Sequence, residues 1–199
     1  THVERDLAGR IVALVSPTGL RTSYSYDACG RMVDVTDPAG RVTRYSYTSD
    51  FQVATVTYPT GETARYEYDA MGRVVLSHVP GAGVSQYRYD PCGRLVFSCD
   101  LVYGQRHFSY DLAGQLVAAT NPAGGVSRYG YDRCGRLVTR TDPGGGLTTY
   151  QYNECGQMIA ATDPLGRVTE YTWDKSGTLA AITRPDGTVV SRRLGPKGV

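Results

Sequence analysis

The sequence predicts an all-β protein: tandem 21-residue β-hairpin repeats joined into one continuous, curved antiparallel sheet, a segment of a spiral or shell. Three observations lead there. Aromatic residues recur at Tyr26, Tyr47, Tyr68, Tyr89, Tyr110, Tyr131, Tyr152 and Trp173, each 21 positions after the last. Gly-centred corners keep the same step, and between corners the residues alternate with the two-residue period of a strand. A fixed period of this length marks an array of supersecondary units.

The unit reads Tyr-x-Tyr-Asp-x-x-Gly-Arg-Leu-Val-x-x-Thr-Asp-Pro-x-Gly-x-x-Thr-x. Residues 1–190 hold about nine copies, with a C-terminal tail over 191–199. Its first strand ends in the aromatic pair. Val42 to Tyr47 alternates, which places Thr43, Tyr45 and Tyr47 on one face. A second aromatic series, from Tyr24 through Tyr45, Tyr66, Tyr87, Phe108, Tyr129 and Tyr150 to Tyr171, runs two residues ahead of the first.

The Tyr-Asp corner comes next. Asp27, Asp69, Asp90, Asp111, Asp132 and Asp174 open a tight loop that Gly30, Gly72, Gly93, Gly114, Gly135 and Gly177 close, and Gly156 holds the same slot after Tyr152. The second strand is short and β-branched, as in Arg31 to Thr36, too short for a helix. Asp37-Pro38-Ala39-Gly40 then reverses the chain: the carboxylate reaches N–H groups two residues on, proline presets φ, and glycine accepts positive φ. Two strands of six or seven residues and two four-residue turns account for the period.

Three corners depart from this pattern. Thr48-Ser49-Asp50-Phe51 replaces Asp-x-x-Gly, and glycine comes one place late at Gly83 and Gly104. These turns are expected to differ from the rest, as bulges or longer loops. The arginines after the corner glycine, Arg31, Arg73, Arg94 and Arg136 among them, suit ring stacking or pairing with corner aspartates; Gln52, Gln115 and Gln157 take the slot elsewhere. An anion- or glycan-binding ladder is the alternative role.

Composition narrows the function classes. Gly 24 and Pro 10 make up about 17% of 199 residues against a usual ~12%. A net charge of +2 excludes a basic nucleic-acid arm and an acidic disordered tail. The longest aliphatic run, Ile11 to Val15, is far short of the ~20 apolar residues of a membrane span. The chain opens at Thr1 without an export signal, which reads as a segment of a longer protein.

Catalytic chemistry finds little support. His2, His78 and His107 are widely separated, and nearly every Asp belongs to a corner. Cys29, Cys92, Cys134 and Cys155 share the slot before the corner glycine, and neighbours two strands apart lie ~10 Å from one another, beyond disulfide reach. Free thiols are expected, with Cys92 to Cys99 the one pairing left open. No cofactor, metal or enzymatic activity is expected.

The segments Tyr26-Asp27-Ala28-Cys29-Gly30-Arg31-Met32 and Tyr131-Asp132-Arg133-Cys134-Gly135-Arg136-Leu137, each leading into Thr-Asp-Pro-x-Gly, resemble the Rhs/YD repeat over nearly the whole chain. That family includes bacterial Rhs polymorphic toxins, the B and C components of insecticidal toxin complexes, and the teneurins. The resemblance implies a stretch of a hollow β-shell that encapsulates a toxin or effector domain for delivery. It also implies a secreted or cell-surface location, and as partners other shell parts and an enclosed C-terminal toxin. The toxin-releasing core of bacterial members has no counterpart in Ser191 to Val199. The rival is a cell-surface adhesion or carbohydrate-binding array. Exposed sheet edges point to self-association.

Overall fold

The structure, a computed structural model, describes residues 1–191; of the tail expected over 191–199, all but Ser191 lies outside the described residues. Among the described residues there are nineteen strands and no helix, and the strands form one open antiparallel sheet. The chain divides into two units, 1–104 and 105 onward. The first carries β1 (His2–Arg5), β2 (Ile11–Val15), β3 (Arg21–Tyr26), β4 (Met32–Thr36), β5 (Val42–Tyr47), β6 (Val53–Thr57), β7 (Thr63–Tyr68), β8 (Val74–Val79), β9 (Gly83–Tyr89) and β10 (Leu95–Asp100). The second carries β11 (Gly104–Tyr110), β12 (Leu116–Thr120), β13 (Val126–Tyr131), β14 (Leu137–Thr141), β15 (Leu147–Tyr152), β16 (Met158–Thr162), β17 (Val168–Trp173), β18 (Leu179–Thr183) and β19 (Val189–Ser191). Within each unit, strands adjacent in sequence pair antiparallel.

Both corners close alike. At the Tyr-Asp corner Asp27 N–H donates to Arg31 O at 2.8 Å and Gly30 N–H to Asp27 O at 3.0 Å; Asp37, Gly40 and Arg41 repeat the pattern at the Asp-Pro corner. Each is a three-residue loop ending in a left-handed residue, so the expected four-residue turns are one residue shorter between the bonded ends.

The two corners differ in the ladder beyond them. After the Asp-Pro corner the register is unbroken, Thr36↔Val42, Val35↔Thr43, Asp34↔Arg44. After the Tyr-Asp corner it slips: Tyr26 faces Met32 but Ser25 faces Asp34, leaving Val33 as a β-bulge. The slip recurs between Ser46 and Tyr47, Glu67 and Tyr68, Gly130 and Tyr131, Gln151 and Tyr152, and Thr172 and Trp173. Parity demands it. Side chains alternate every second residue and the repeat is odd, so equivalent residues would change face from one hairpin to the next unless one residue per repeat left the ladder. With the bulge, Tyr24 aligns through Val35 with Thr43, two places before Tyr45, and the equivalents share a face.

The faces are unlike. In the first unit one face carries Tyr24, Tyr45 and Tyr66 with Val35, Val56 and Ala64, and the other carries Asp34, Arg44, Thr55, Arg65 and His78. No second layer covers either face: among the described residues the buried apolar ones are Ala13, Ala64 and Phe97.

The irregular corners behave in two ways. At Gly83 the turn tightens to a bond from Ala82 N–H to Val79 O, with Gly81 and Gly83 both at positive φ, and at Gly104 the Asp100 carboxylate accepts from Val102 and Tyr103. The corner at 48–51 does not differ as expected. Thr48 and Gln52 close it with the standard bonds, and Phe51 adopts the glycine conformation at φ 65°, the one non-glycine residue described at positive φ. That backbone costs an aromatic residue about 1–2 kcal/mol.

Candidate functional site

The distinctive chemistry lies along the Tyr-Asp corners. Asp27 Oδ1 accepts the N–H groups of Cys29 and Arg31, both at 2.9 Å, while Oδ2 accepts Arg31 Nε at 2.6 Å. Asp69 and Asp132 make the same three bonds, Asp90 two of them to Arg94, and Asp111 and Asp174 cap the N–H of Gln115 and Thr178. The bonds favour the ionised form of Asp27, Asp69, Asp90 and Asp132. The Arg31, Arg94 and Arg136 N–H groups are the first cause of the lowered pKa of Asp27, Asp90 and Asp132, and the Arg73 guanidinium is the first cause for Asp69.

The arginine does more than brace its own corner. Its guanidinium carbon lies over the aromatic ring of the following repeat: Arg31 over Tyr47 at 4.8 Å, Arg73 over Tyr89 at 4.6 Å, Arg136 over Tyr152 at 5.0 Å. Arg136 Nη1 also donates to Asn153 O, at the next corner, at 3.1 Å. Where glutamine takes the slot an amide makes the crossing, Gln52 Nε2 to Gly72 O at 2.7 Å and Gln115 Nε2 to Gly135 O at 3.0 Å. Arg31 is held on two sides, because the Phe51 ring lies 5.1 Å from its guanidinium carbon. Such stacking contributes about 0.5–1 kcal/mol at an exposed site and so offsets part of the Phe51 backbone strain.

Aromatic hydroxyls tie the repeats in the opposite direction. Tyr26 donates to Ile11 O at 2.7 Å, Tyr68 to Val53 O at 2.8 Å, Tyr89 to Val74 O at 3.1 Å, Tyr131 to Leu116 O at 2.9 Å and Tyr152 to Leu137 O at 2.8 Å. Trp173 Nε1 does the same to Met158 O at 2.8 Å, and Tyr110 holds the equivalent half-buried place in β11. These carbonyls lie beyond the last ladder pair between hairpins; β4 and β5 stop pairing at Asp34↔Arg44, and Tyr47 then reaches Met32 O. A carbonyl left without ladder partner is thus satisfied by a side chain. Burial raises the Tyr47 and Tyr131 hydroxyl pKa, favouring the neutral donor. Gly30, Gly72, Gly93, Gly114, Gly135, Gly156 and Gly177 lie at φ between 79° and 86°, where a side chain is strained.

The sequence pattern alone offers the corner arginine either ring stacking or pairing with the corner aspartate; in the structure Arg31 does both at once. The aromatic-to-carbonyl bonds and the bulge escape a reading of the sequence. The odd repeat length is the available signal for the bulge; nothing in the local sequence marks the carbonyl acceptors. Phe51 breaks the pattern in residue type and not in backbone.

Among the described residues no three His, Cys, Asp or Glu side chains gather as for a metal ion, and all five cysteines, Cys92 and Cys99 included, are free. Among the described residues no helix is long and apolar enough to cross a membrane.

The Teneurin YD-shell family profile matches residues 1–91 and 20–187. The chain belongs to the YD-shell family. Among solved structures it is similar to a TcdB2-TccC3-TEV crystal structure, with a TM-score of 0.71 at 18% identity over 92% of this chain and 11% of that one. A TcdB2-TccC3-Cdc42 crystal structure matches at 0.71 and 19% over the same shares. The Photorhabdus luminescens Tc holotoxin pore matches at 0.53 and 15%, over 97% of this chain and 12% of that one. At these identities the likeness concerns the fold, and the YD-shell segment spans about a tenth of the chains it matches. No curated protein matches. The YD-shell sequence is therefore a structural shell segment of the Rhs/YD-repeat type.

Proposed function

We propose that this chain is a non-enzymatic stretch of the wall of a hollow shell that encloses a toxic or effector polypeptide until delivery outside the producing cell. One observation carries the proposal. Hairpins are tied forward by arginine or glutamine, as at Arg31, Gln52, Arg73, Gln115 and Arg136, and backward by an aromatic hydroxyl, as at Tyr131, while among the described residues no layer packs on either face. A sheet that invests its specific bonds along its own length and leaves both faces uncovered is built as a partition. The structural neighbours, a Tc holotoxin pore and TcdB2-TccC3 assemblies, support the reading by fold. In this reading residues 1–190 are the repeat array and 191–199 lead out of it. The Tyr, Asp, Gly and Arg residues of the Tyr-Asp corners are then structural signature positions, and the partners are adjoining shell segments and the enclosed chain.

Cryo-electron microscopy of the natural protein that carries this array tests the proposal. A hollow particle with these hairpins in its wall is the expected result; a compact two-layer domain with a filled core overturns it.

A further inference from the structure

Proline stands second at corners of the Asp-Pro kind, every 21 residues from Pro17 to Pro185, with one exception: Leu101 takes the place between Pro80 and Pro122. Proline fixes φ and has no N–H to give, so it resists being drawn out as a hydrogen-bonded strand. The 100–104 corner, the last of the first unit, lacks that block.

Its central residues are large, apolar and consecutive: Leu101 is 78% exposed, Val102 74% and Tyr103 63%. Packing does not require side chains that stand in water. The Asp100 carboxylate accepts the N–H groups of Val102 and Tyr103, and Leu101 lies over Gly83, where a Cβ would come within 2.2 Å of its Cδ1. Beyond this anchor Tyr103 leads to Gly104, which has positive φ and no Cβ.

Phe51 is the internal comparison. It too is aromatic, at a corner and 62% exposed. Its loop, however, is closed by Thr48 N–H to Gln52 O at 2.8 Å and Phe51 N–H to Thr48 O at 3.2 Å, and its ring lies against Arg31. Leu7 and Leu112, more exposed still, sit in loops closed by the same pair of bonds. Single apolar residues are thus common at tight corners, whereas among the described residues three in succession at a corner without proline occur once, at 101–103.

A protease takes its substrate as an extended strand whose side chains enter pockets in turn, and a strand can be taken only where the chain opens locally at little cost. We propose that the 100–104 corner is a proteolytic processing site, cut between Tyr103 and Gly104 by an endoprotease that selects a large apolar side chain on the acyl side of the scissile bond. Water is the only co-reactant. Its hydroxyl joins the Tyr103 carbonyl carbon as the C–N bond breaks, and its proton goes to the Gly104 nitrogen, leaving a new carboxyl and a new amino terminus. The cut falls beyond Asp100, the last residue of β10, so every strand from β1 to β10 stays whole.

Limited proteolysis of the full chain with chymotrypsin, its cuts ranked over residues 1–191 by mass spectrometry, tests this. The expected first cut is after Tyr103, at least tenfold faster than the cut after Phe51, which matches it in exposure and chemistry but sits in a closed loop. Thermolysin, which cuts before large apolar residues, should also cut first within 100–103. Tyr103→Asp should slow chymotrypsin at this corner at least tenfold, and Leu101→Pro, which restores the Asp-Pro pair, should slow both enzymes. The ranking of sites within the parent chain needs no variant, so a misfolded variant does not mask it. A first cut elsewhere by either enzyme, no cut at this corner, a cut after Phe51 as fast as that after Tyr103, or an unchanged rate in either variant overturns the assignment.

Discussion

Replacing Tyr131 by phenylalanine removes a single oxygen from the structure and leaves the ring in place. That oxygen donates to Leu116 O at 2.9 Å, where the ladder between hairpins has ended. A typical net hydrogen bond contributes about 1 kcal/mol, and a carbonyl left dry costs up to about 3. Tyr131 is only half-buried, so water can reach the freed carbonyl and the loss should stay near about 1 kcal/mol. For a chain of this length that is about 2–4 °C in the thermal midpoint, or about 0.3–1 M in urea midpoint. Two residues earlier on the same strand, Tyr129 has no hydrogen-bond partner for its hydroxyl among the described residues, so Tyr129→Phe should stay within about 0.5 kcal/mol of the parent. Urea titrations of the parent and both variants, followed by circular dichroism, make the comparison. Indistinguishable variants, or a Tyr131→Phe chain as stable as the parent, refute the idea that aromatic hydroxyls close the gaps between hairpins.

The corner carboxylates set a pH dependence of definite sign. Asp27, Asp69, Asp90 and Asp132 have folded pKa values below the ordinary ~3.9, so their stabilisation is present above that value and is lost as pH falls through the folded values. Thermal midpoints should drop on acidification from pH 5 to 2, less steeply in Asp132→Asn; a midpoint that rises would contradict the corner bonding. At position 51, Phe51→Gly relieves about 1–2 kcal/mol of backbone strain at the cost of about 0.5–1 in stacking on Arg31, whereas Phe51→Ala keeps the strain and loses the ring. Glycine should therefore exceed alanine by about 1 kcal/mol in chemical denaturation, and the reverse order would show that the corner is not strained. Thiol titration of the native chain should find four fast cysteines and a slower half-buried Cys99, since the other four are exposed; a slow majority would mean that the cysteine edge is covered.

The repeat, the hairpin and the placement of both corners are decided by local chemistry, and local chemistry is visible along a chain. Asp-Pro-x-Gly turns wherever it occurs, a Tyr-x-Tyr run alternates in any sheet, and an aspartate four residues before an arginine finds it across a three-residue loop. Other features rest on groups far apart in sequence. Which carbonyl lacks a partner depends on where one ladder stops relative to the next, so the Tyr131 to Leu116 bond became legible only with the strands laid side by side. The bulge at Val33 answers a conflict of parity between neighbouring hairpins, and Phe51 tolerates its backbone because Arg31, from the preceding corner, lies against its ring. Sequence determined the folding unit because turns are short-range; tertiary structure decided how one unit grips the next, because that grip is made of bonds spanning 15 residues or more.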